Sequence, residues 1–238
     1  MLAVLAVTGR AEAGRTPYGW LYGTEVLPEK SVELQQWVYE RNGFDDPDTH
    51  DTALWWGALI GVTDKLELAL PIEFLWHEQM GQPANFTVEY FGIEARYRFT
   101  ETDFENPDGI APLVRFAVKR DVLNRGSVVL QGDFVMSYQK GRFHGLVDLG
   151  GQVQADKNDA RIELRPGAGI SIETKKDLRF GVEGYGDLFV DSALKKSRWF
   201  GVGPNMSWTS GRFWLTASLL IGVYQIDTAP RVIWGVLF

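Results

Sequence analysis

A chain of 238 residues with a formal net charge of −7 and no cysteine excludes disulfides and cysteine-held metals, and with no basic run it lacks the footprint of a nucleic-acid binder. No stretch approaches the roughly 18 apolar residues of a membrane helix. Spanning strands stay open, because each needs only about 9–11 residues with alternate ones apolar, and the 13% aromatic content and 26 glycines suit them.

Residues 1–13 carry a short apolar run, Leu2 to Val7, and close on Ala11-Glu12-Ala13, a small-x-small cleavage pattern. The positive region that normally precedes such a run is missing. A signal peptide cut short at its start is therefore expected, with the mature chain beginning at Gly14; a frayed or β-forming end is the alternative. Residues 14–30 are rich in Gly, Pro and Tyr and predict an extended leader without regular structure, either entering a lumen or lying under a barrel.

From Ser31 onward, segments of strand period alternate with turn signals. They run Ser31–Arg41, Thr52–Val62, Lys65–Trp76, Phe86–Thr100, Ala111–Asp121 and Gly126–Tyr138. Then come Arg142–Gln154, Ala160–Glu173, Leu178–Val190, Ser197–Trp208, Arg212–Val223 and Arg231–Phe238. The connectors alternate between tight turns, such as Thr63-Asp64 and Gln139–Gly141, and longer polar loops, with exceptions near Asn106 and Asn124. This pattern predicts an all-β fold, an antiparallel transmembrane β-barrel of about twelve strands over residues 31–238, with both termini on the periplasmic side.

Two faces recur along these segments. Ile162, Leu164, Ala168, Ile170 and Ile172 share one, and Arg161, Glu163, Arg165, Gly167 and Gly169 the other. Alternation alone does not say which face is inside. Aromatics decide: Tyr97, Phe99, Tyr138, Phe143, Trp208, Phe213 and Phe238 cluster on the apolar face at one end, and Trp56 and Trp76 at the other. Two interfacial girdles around a lipid-facing band are expected.

The polar face then lines a lumen. Pairing residues symmetrically about each turn sets Arg115 opposite Asp133, Asp133 opposite Asp148, Asp148 opposite Arg165 and Arg165 opposite Asp187, with Arg96 beside Arg115. Further lumen-facing charges are Glu67, Glu73, Glu94, Lys119, Arg161, Glu163 and Glu183. Such a belt either braces a narrow barrel or filters solutes by charge. His144 would face Ser137 across the Gln139–Gly141 turn, an arrangement open to nucleophilic chemistry or to a plain polar pair. His50 and His77 sit in loops without ligand spacing. Asp45, Asp46, Asp48 and Asp51 form an acidic loop that would either bind a divalent cation or simply be solvated. No catalytic residue, metal ligand or cofactor is assigned.

The final Arg231–Phe238 strand places Val232, Trp234, Val236 and Phe238 on one face, and it resembles the terminal signal strand of bacterial outer-membrane β-barrels. Within that class, Thr24–Lys30 leading into Ser31-Val32-Glu33-Leu34, and the turn Gly61 to Leu68, resemble the transporter barrels named after the meta-pathway of phenol degradation. The resemblance implies residence in the outer membrane of a Gram-negative bacterium, contact with its lipid, insertion by the barrel-assembly machinery through the C-terminal strand, and passage of small solutes, hydrophobic or aromatic compounds among them. It carries over no ligand site. The expected function is an outer-membrane channel or transporter for small solutes. The alternatives are a closed structural or surface-exposed barrel without flux, a lipid-modifying enzyme, and a soluble secreted all-β binding domain.

Overall fold

Alternating side chains and short turns produce twelve strands among the described residues, which are 16–43, 49–79, 81, 83–101, 108–157, 160–190 and 198–238 of a computed structural model. The strands are β1 (Val32–Glu40), β2 (Thr49–Thr63), β3 (Leu66–Gln79), β4 (Asn85–Arg98), β5 (Gly109–Asp121) and β6 (Val128–Lys140). They continue with β7 (Phe143–Ala155), β8 (Ala160–Lys175), β9 (Leu178–Phe189), β10 (Trp199–Ser210), β11 (Phe213–Tyr224) and β12 (Thr228–Leu237). The signal segment 1–13, the loop acids Asp45, Asp46 and Asp48, and the connector at Asn106 lie outside the described residues.

Each strand pairs antiparallel with the next, and β12 returns to β1 from Glu33↔Leu237 to Tyr39↔Arg231. Closure removes the sheet edge, so no strand of the wall is left without a neighbour on either side. Four tight turns lie at one end of the barrel, where β1 begins and β12 finishes, and the longer connection from β4 to β5 lies at that end too; the remaining connections lie at the other. At the tight-turn end Gly141 and Gly211 open two-residue turns with φ of +55° and +58°. A glycine at the first central position suits the hairpin twist that joins adjacent strands.

The outer face is apolar. Leu149, in the middle of β7, is 59% exposed, and Phe116, Leu70, Ile93 and Ile170 are likewise exposed. A soluble barrel would bury this face and show its charges to water. Here the charges point inward and the apolar residues outward, which overturns the soluble-domain alternative. Of the aromatics singled out in the sequence, Trp56, Trp76, Tyr97, Phe99, Tyr138, Phe143, Trp208 and Phe238 are exposed on this surface, and Phe213 is half-buried against Trp208. Val232, Trp234 and Val236 face outward from β12 and are half-buried by their neighbours.

Two hairpin registers differ from expectation. Strand β6 runs on to Lys140 and turns at Gly141-Arg142, one residue later than Gln139–Gly141 implied. Moving a turn centre by one residue moves every pair by two. Asp133 therefore faces Gly150, and Ser137 faces Leu146. Strand β7 likewise extends to Ala155, so Gly150 faces Arg165 and Asp148 faces Gly167. The Asp133–Asp148, Asp148–Arg165 and Ser137–His144 pairings are thus corrected. The last strand also starts earlier, at Thr228, held by a bridge to Asn42.

Replacing Leu149 by Arg puts a charge at mid-wall against lipid and is expected to lower unfolding free energy in lipid vesicles by about 2–4 kcal/mol, read by urea titration. Gly141→Val meets open space but forces a β-branched residue to positive φ. A loss of about 1–3 kcal/mol in the same titration is expected from backbone strain alone.

Candidate functional site in the barrel lumen

The inward faces divide the lumen into two walls. One, on β3 to β8, is charged. Arg115 is 2% exposed, and its guanidinium donates to Asp133 Oδ2 at 2.6 Å, Glu94 Oε2 at 2.7 Å and Gln131 Oε1 at 2.9 Å. Arg96 lies directly across the ladder. It donates to the other Glu94 oxygen at 2.7 Å and reaches Glu67 at 3.7 Å, so Glu94 bridges two arginines. A carboxamide relay continues from Gln131 to Gln152 at 3.1 Å and from Gln152 to Glu163 at 3.0 Å. The Lys119 ammonium donates to Glu73, and Gln154 donates to Asp121 at 3.1 Å.

The second wall, on β1, β2 and β9 to β12, is aromatic. Trp37 stacks on Tyr39 and Trp55 at centroid distances of 5.1 and 6.2 Å. Tyr185 packs on Trp199 at 5.6 Å. The Trp199 indole donates to Asp187 at 2.7 Å, and Trp214 donates to Glu33 at 3.1 Å. The Arg231 guanidinium lies over Trp37 at 4.5 Å and Tyr39 at 5.7 Å.

Every charge proposed for the lumen in β3 to β9 sits on an inward face. Arg96, Arg115, Asp133, Asp148, Asp187, Glu67, Glu94, Lys119, Glu163 and Glu183 are buried, Arg165 and Glu73 are half-buried, and Arg161 is exposed near the long-loop end. The structure brings Arg115 and Asp133 into contact. It places Asp148 two residues from the expected level, opposite Val135. The pairs flanking Arg165, Leu164↔Leu188 and Gly167↔Tyr185, keep the register that sets it beside Asp187.

What fills the space between the walls is residues 16–30 of the same chain. At the tight-turn end Lys30 N donates to Gly61 O at 2.8 Å, and Glu29 N to Asp64 at 3.0 Å. Going inward, Leu27 N donates to Glu67 at 2.8 Å and Thr24 Oγ1 meets Ser137 Oγ at 2.5 Å. Tyr22 N donates to Asp148 at 3.0 Å, and its ring lies under Arg115 at 4.0 Å and Arg96 at 5.3 Å. The turnaround is at Trp20, whose indole donates to Ala229 O at 3.2 Å and packs on Tyr39, Tyr185 and Trp199. Consecutive amides of Gly19 and Trp20 donate to the two oxygens of Glu183, both at 2.8 Å. The chain then descends, with Tyr18 OH at 3.1 Å from His144 O and Nδ1, and Thr216 Oγ1 donating to Thr16 O at 2.7 Å.

The wall is cut to fit this segment. A Cβ on Gly169 would strike the Tyr18 ring, and one on Gly167 the Leu21 side chain. The cavity left beside the leader, lined by Trp37, Arg96 and Arg231 among others, measures about 30 Å³, room for a water and not for a solute. Ser137 and His144, the possible nucleophile and base, are each engaged by the leader rather than by each other. Asp51 binds His77 Nδ1 at 2.6 Å. Among the described residues no cluster of three metal-ligating side chains occurs.

Sequence reasoning found the charges, left the leader between the lumen and the space under the barrel, and missed the aromatic wall. The parity that sets Trp214 inward applies equally to Trp37, Trp55 and Trp199, so the wall had a signal. The carboxylate-to-amide bonds had none, because a backbone N–H carries no sequence mark.

No family model matches the chain, and no curated protein matches its sequence. Solved structures match its shape. An outer-membrane channel from Pseudomonas putida F1 superposes with a TM-score of 0.67 at 11% identity, over 90% of this chain and 98% of the other. The NanC porin gives 0.57 at 10% identity, over 85% and 98%. The KdgM porin, solved in complex with disordered oligogalacturonate, gives 0.55 at 11% identity, over 87% and 98%. At such identities the likeness is one of fold: the chain has the closed antiparallel barrel of outer-membrane channels.

Proposed function

We propose that this protein is an outer-membrane channel for small solutes, closed by its own leader and opened when residues 16–30 withdraw. The carrying observation is that a polar, charged wall lies behind a leader that is no part of the strand ladder. A permanently filled lumen gains nothing from buried ion pairs such as Glu94–Arg115–Asp133, which apolar side chains of similar volume replace at little or no loss of stability. A lumen that fills with water when the leader leaves needs such a wall. The P. putida channel and the two porins of the same fold support passage of small solutes.

In this reading Arg96, Arg115, Asp133, Asp148, Arg165 and Asp187 form the charge filter of the open pore. Trp37, Trp55, Tyr185 and Trp199 suit hydrophobic or aromatic solutes. The tight turns face the periplasm, so the leader enters from that side. The outward aromatics from Trp56 to Phe238 form the interfacial girdles, and the outward residues of β12 are read by the barrel-assembly machinery. A closed barrel without flux is the second reading, favoured by the occlusion itself.

Conductance of the full chain in a planar bilayer separates the two. Glu183→Gln weakens the anchor of the Gly19 and Trp20 amides by about 2 kcal/mol, which shifts the closed-to-open ratio roughly thirtyfold. Rare openings in the parent chain and sustained stepwise conductance in the variant are expected. A folded, inserted variant that stays silent rejects the channel.

A further inference from the structure

We propose that the lumen is a binding site for short aromatic peptides and that the leader occupies it as a built-in ligand. This deepens the channel reading and rests on the leader being able to withdraw.

The groups that hold the leader recognise features any peptide has. Glu183 takes two consecutive backbone N–H groups, Asp148 takes a third from Tyr22, and Glu67 takes a fourth from Leu27. The three carboxylates come from different strands, β9, β7 and β3, and all are buried. They do not answer a charge on the leader, since residues 16–28 contain no Lys or Arg. Once the leader leaves, Asp148 and Glu183 face an open lumen that calls for N–H donors, while Glu67 keeps Arg96.

The side-chain seats follow a bend. Tyr18 and Tyr22 stand on the two limbs of a turn whose apex is Trp20, and that turn brings the consecutive Gly19 and Trp20 amides onto one carboxylate. Each ring has its own place: Tyr18 on His144, Trp20 among Tyr39, Tyr185 and Trp199, and Tyr22 under Arg115. Gly169 clears the wall for the Tyr18 ring and Gly167 for the Leu21 side chain. A ring-bearing anion without N–H donors would fill one ring seat and leave Glu183 facing its charge. A short peptide with aromatic residues at alternate positions satisfies both the carboxylates and the rings.

The leader is tethered and competes at high effective concentration, so the test loosens it while leaving the wall intact. Full-length protein carrying Trp20→Gly, its folding checked by heat-modifiable gel migration, is titrated with the labelled peptide Pro-Tyr-Gly-Trp-Leu-Tyr-Gly, the sequence of residues 17–23. Binding is read by fluorescence anisotropy in detergent and block by conductance in a planar bilayer. The control peptide is N-methylated at the amides corresponding to Gly19 and Trp20. Tyr22→Gly replaces Trp20→Gly if the first variant does not fold.

The unmodified peptide is expected to bind at least tenfold more tightly than the methylated one, and adding Glu183→Gln is expected to erase that difference. Equal binding of both peptides, binding of neither, or block by benzoate as strong as by the peptide overturns the proposal. Conductance that the peptide does not block overturns the peptide site and leaves the channel standing. Selective peptide binding by a chain that never conducts rejects the channel and leaves the site.

Discussion

The ladder between β1 and β12 sets the terms for the rest of the molecule. In lipid an unpaired backbone N–H or C=O has no water to turn to, so a spanning sheet must close on itself. Pairing from Glu33↔Leu237 to Tyr39↔Arg231 does this. Closure fixes an inside and an outside, and the period of two along each strand sorts side chains between them. Leu149 and Ile170 go to lipid, while Arg115 and Glu183 go to the lumen. With no closed ladder there is no enclosed space for the leader and no reason for a charged inner face.

Inside, one wall is a network of ion pairs and the other a cluster of rings with Glu33, Asp187 and Arg231 among them, and the leader touches both. On the charged wall Glu94 serves both Arg96 and Arg115, and Arg115 also serves Asp133 and Gln131. Such sharing offsets the desolvation of buried ions and holds the wall rigid. Glu67, which also reaches Arg96, and Asp148 and Glu183 are the carboxylates that hold the leader's amides. On the aromatic wall Trp20 completes a cluster built from strands on either side of the β1–β12 closure.

Much of this was readable from residue order. Strand number and facing follow from alternation, which is why Ile162 to Ile172 could be set outward and Arg115 opposite Asp133 without coordinates. Register is less secure, because it depends on the centre of each turn. Lys140 reads as part of a polar turn, yet it pairs with Phe143 and passes the tight corner to Gly141, whose backbone can take positive φ. That one-residue difference moved Asp148 away from Asp133. The leader shows the deeper limit. Its Gly, Pro and Tyr content correctly reads as chain without regular structure, but its place depends on partners 164 residues away at Glu183 and 200 away at Thr216. No local pattern encodes such contacts.

Those separations have a consequence for how the molecule assembles. The leader's anchors lie on β2, β3, β5, β6, β7, β9, β11 and β12, so its seat does not exist until nearly the whole wall has formed. Residues 16–30 are therefore synthesised early and docked late, and their ordering comes only after the entropy of closing the longest loops in the chain has been met. Until then three Tyr and Trp side chains and a run of free amides travel exposed beside a growing set of unpaired strands. The barrel precursor thus carries its own most adhesive segment in front, and whatever accompanies it to the membrane must keep that segment from pairing with the first strand edge it meets.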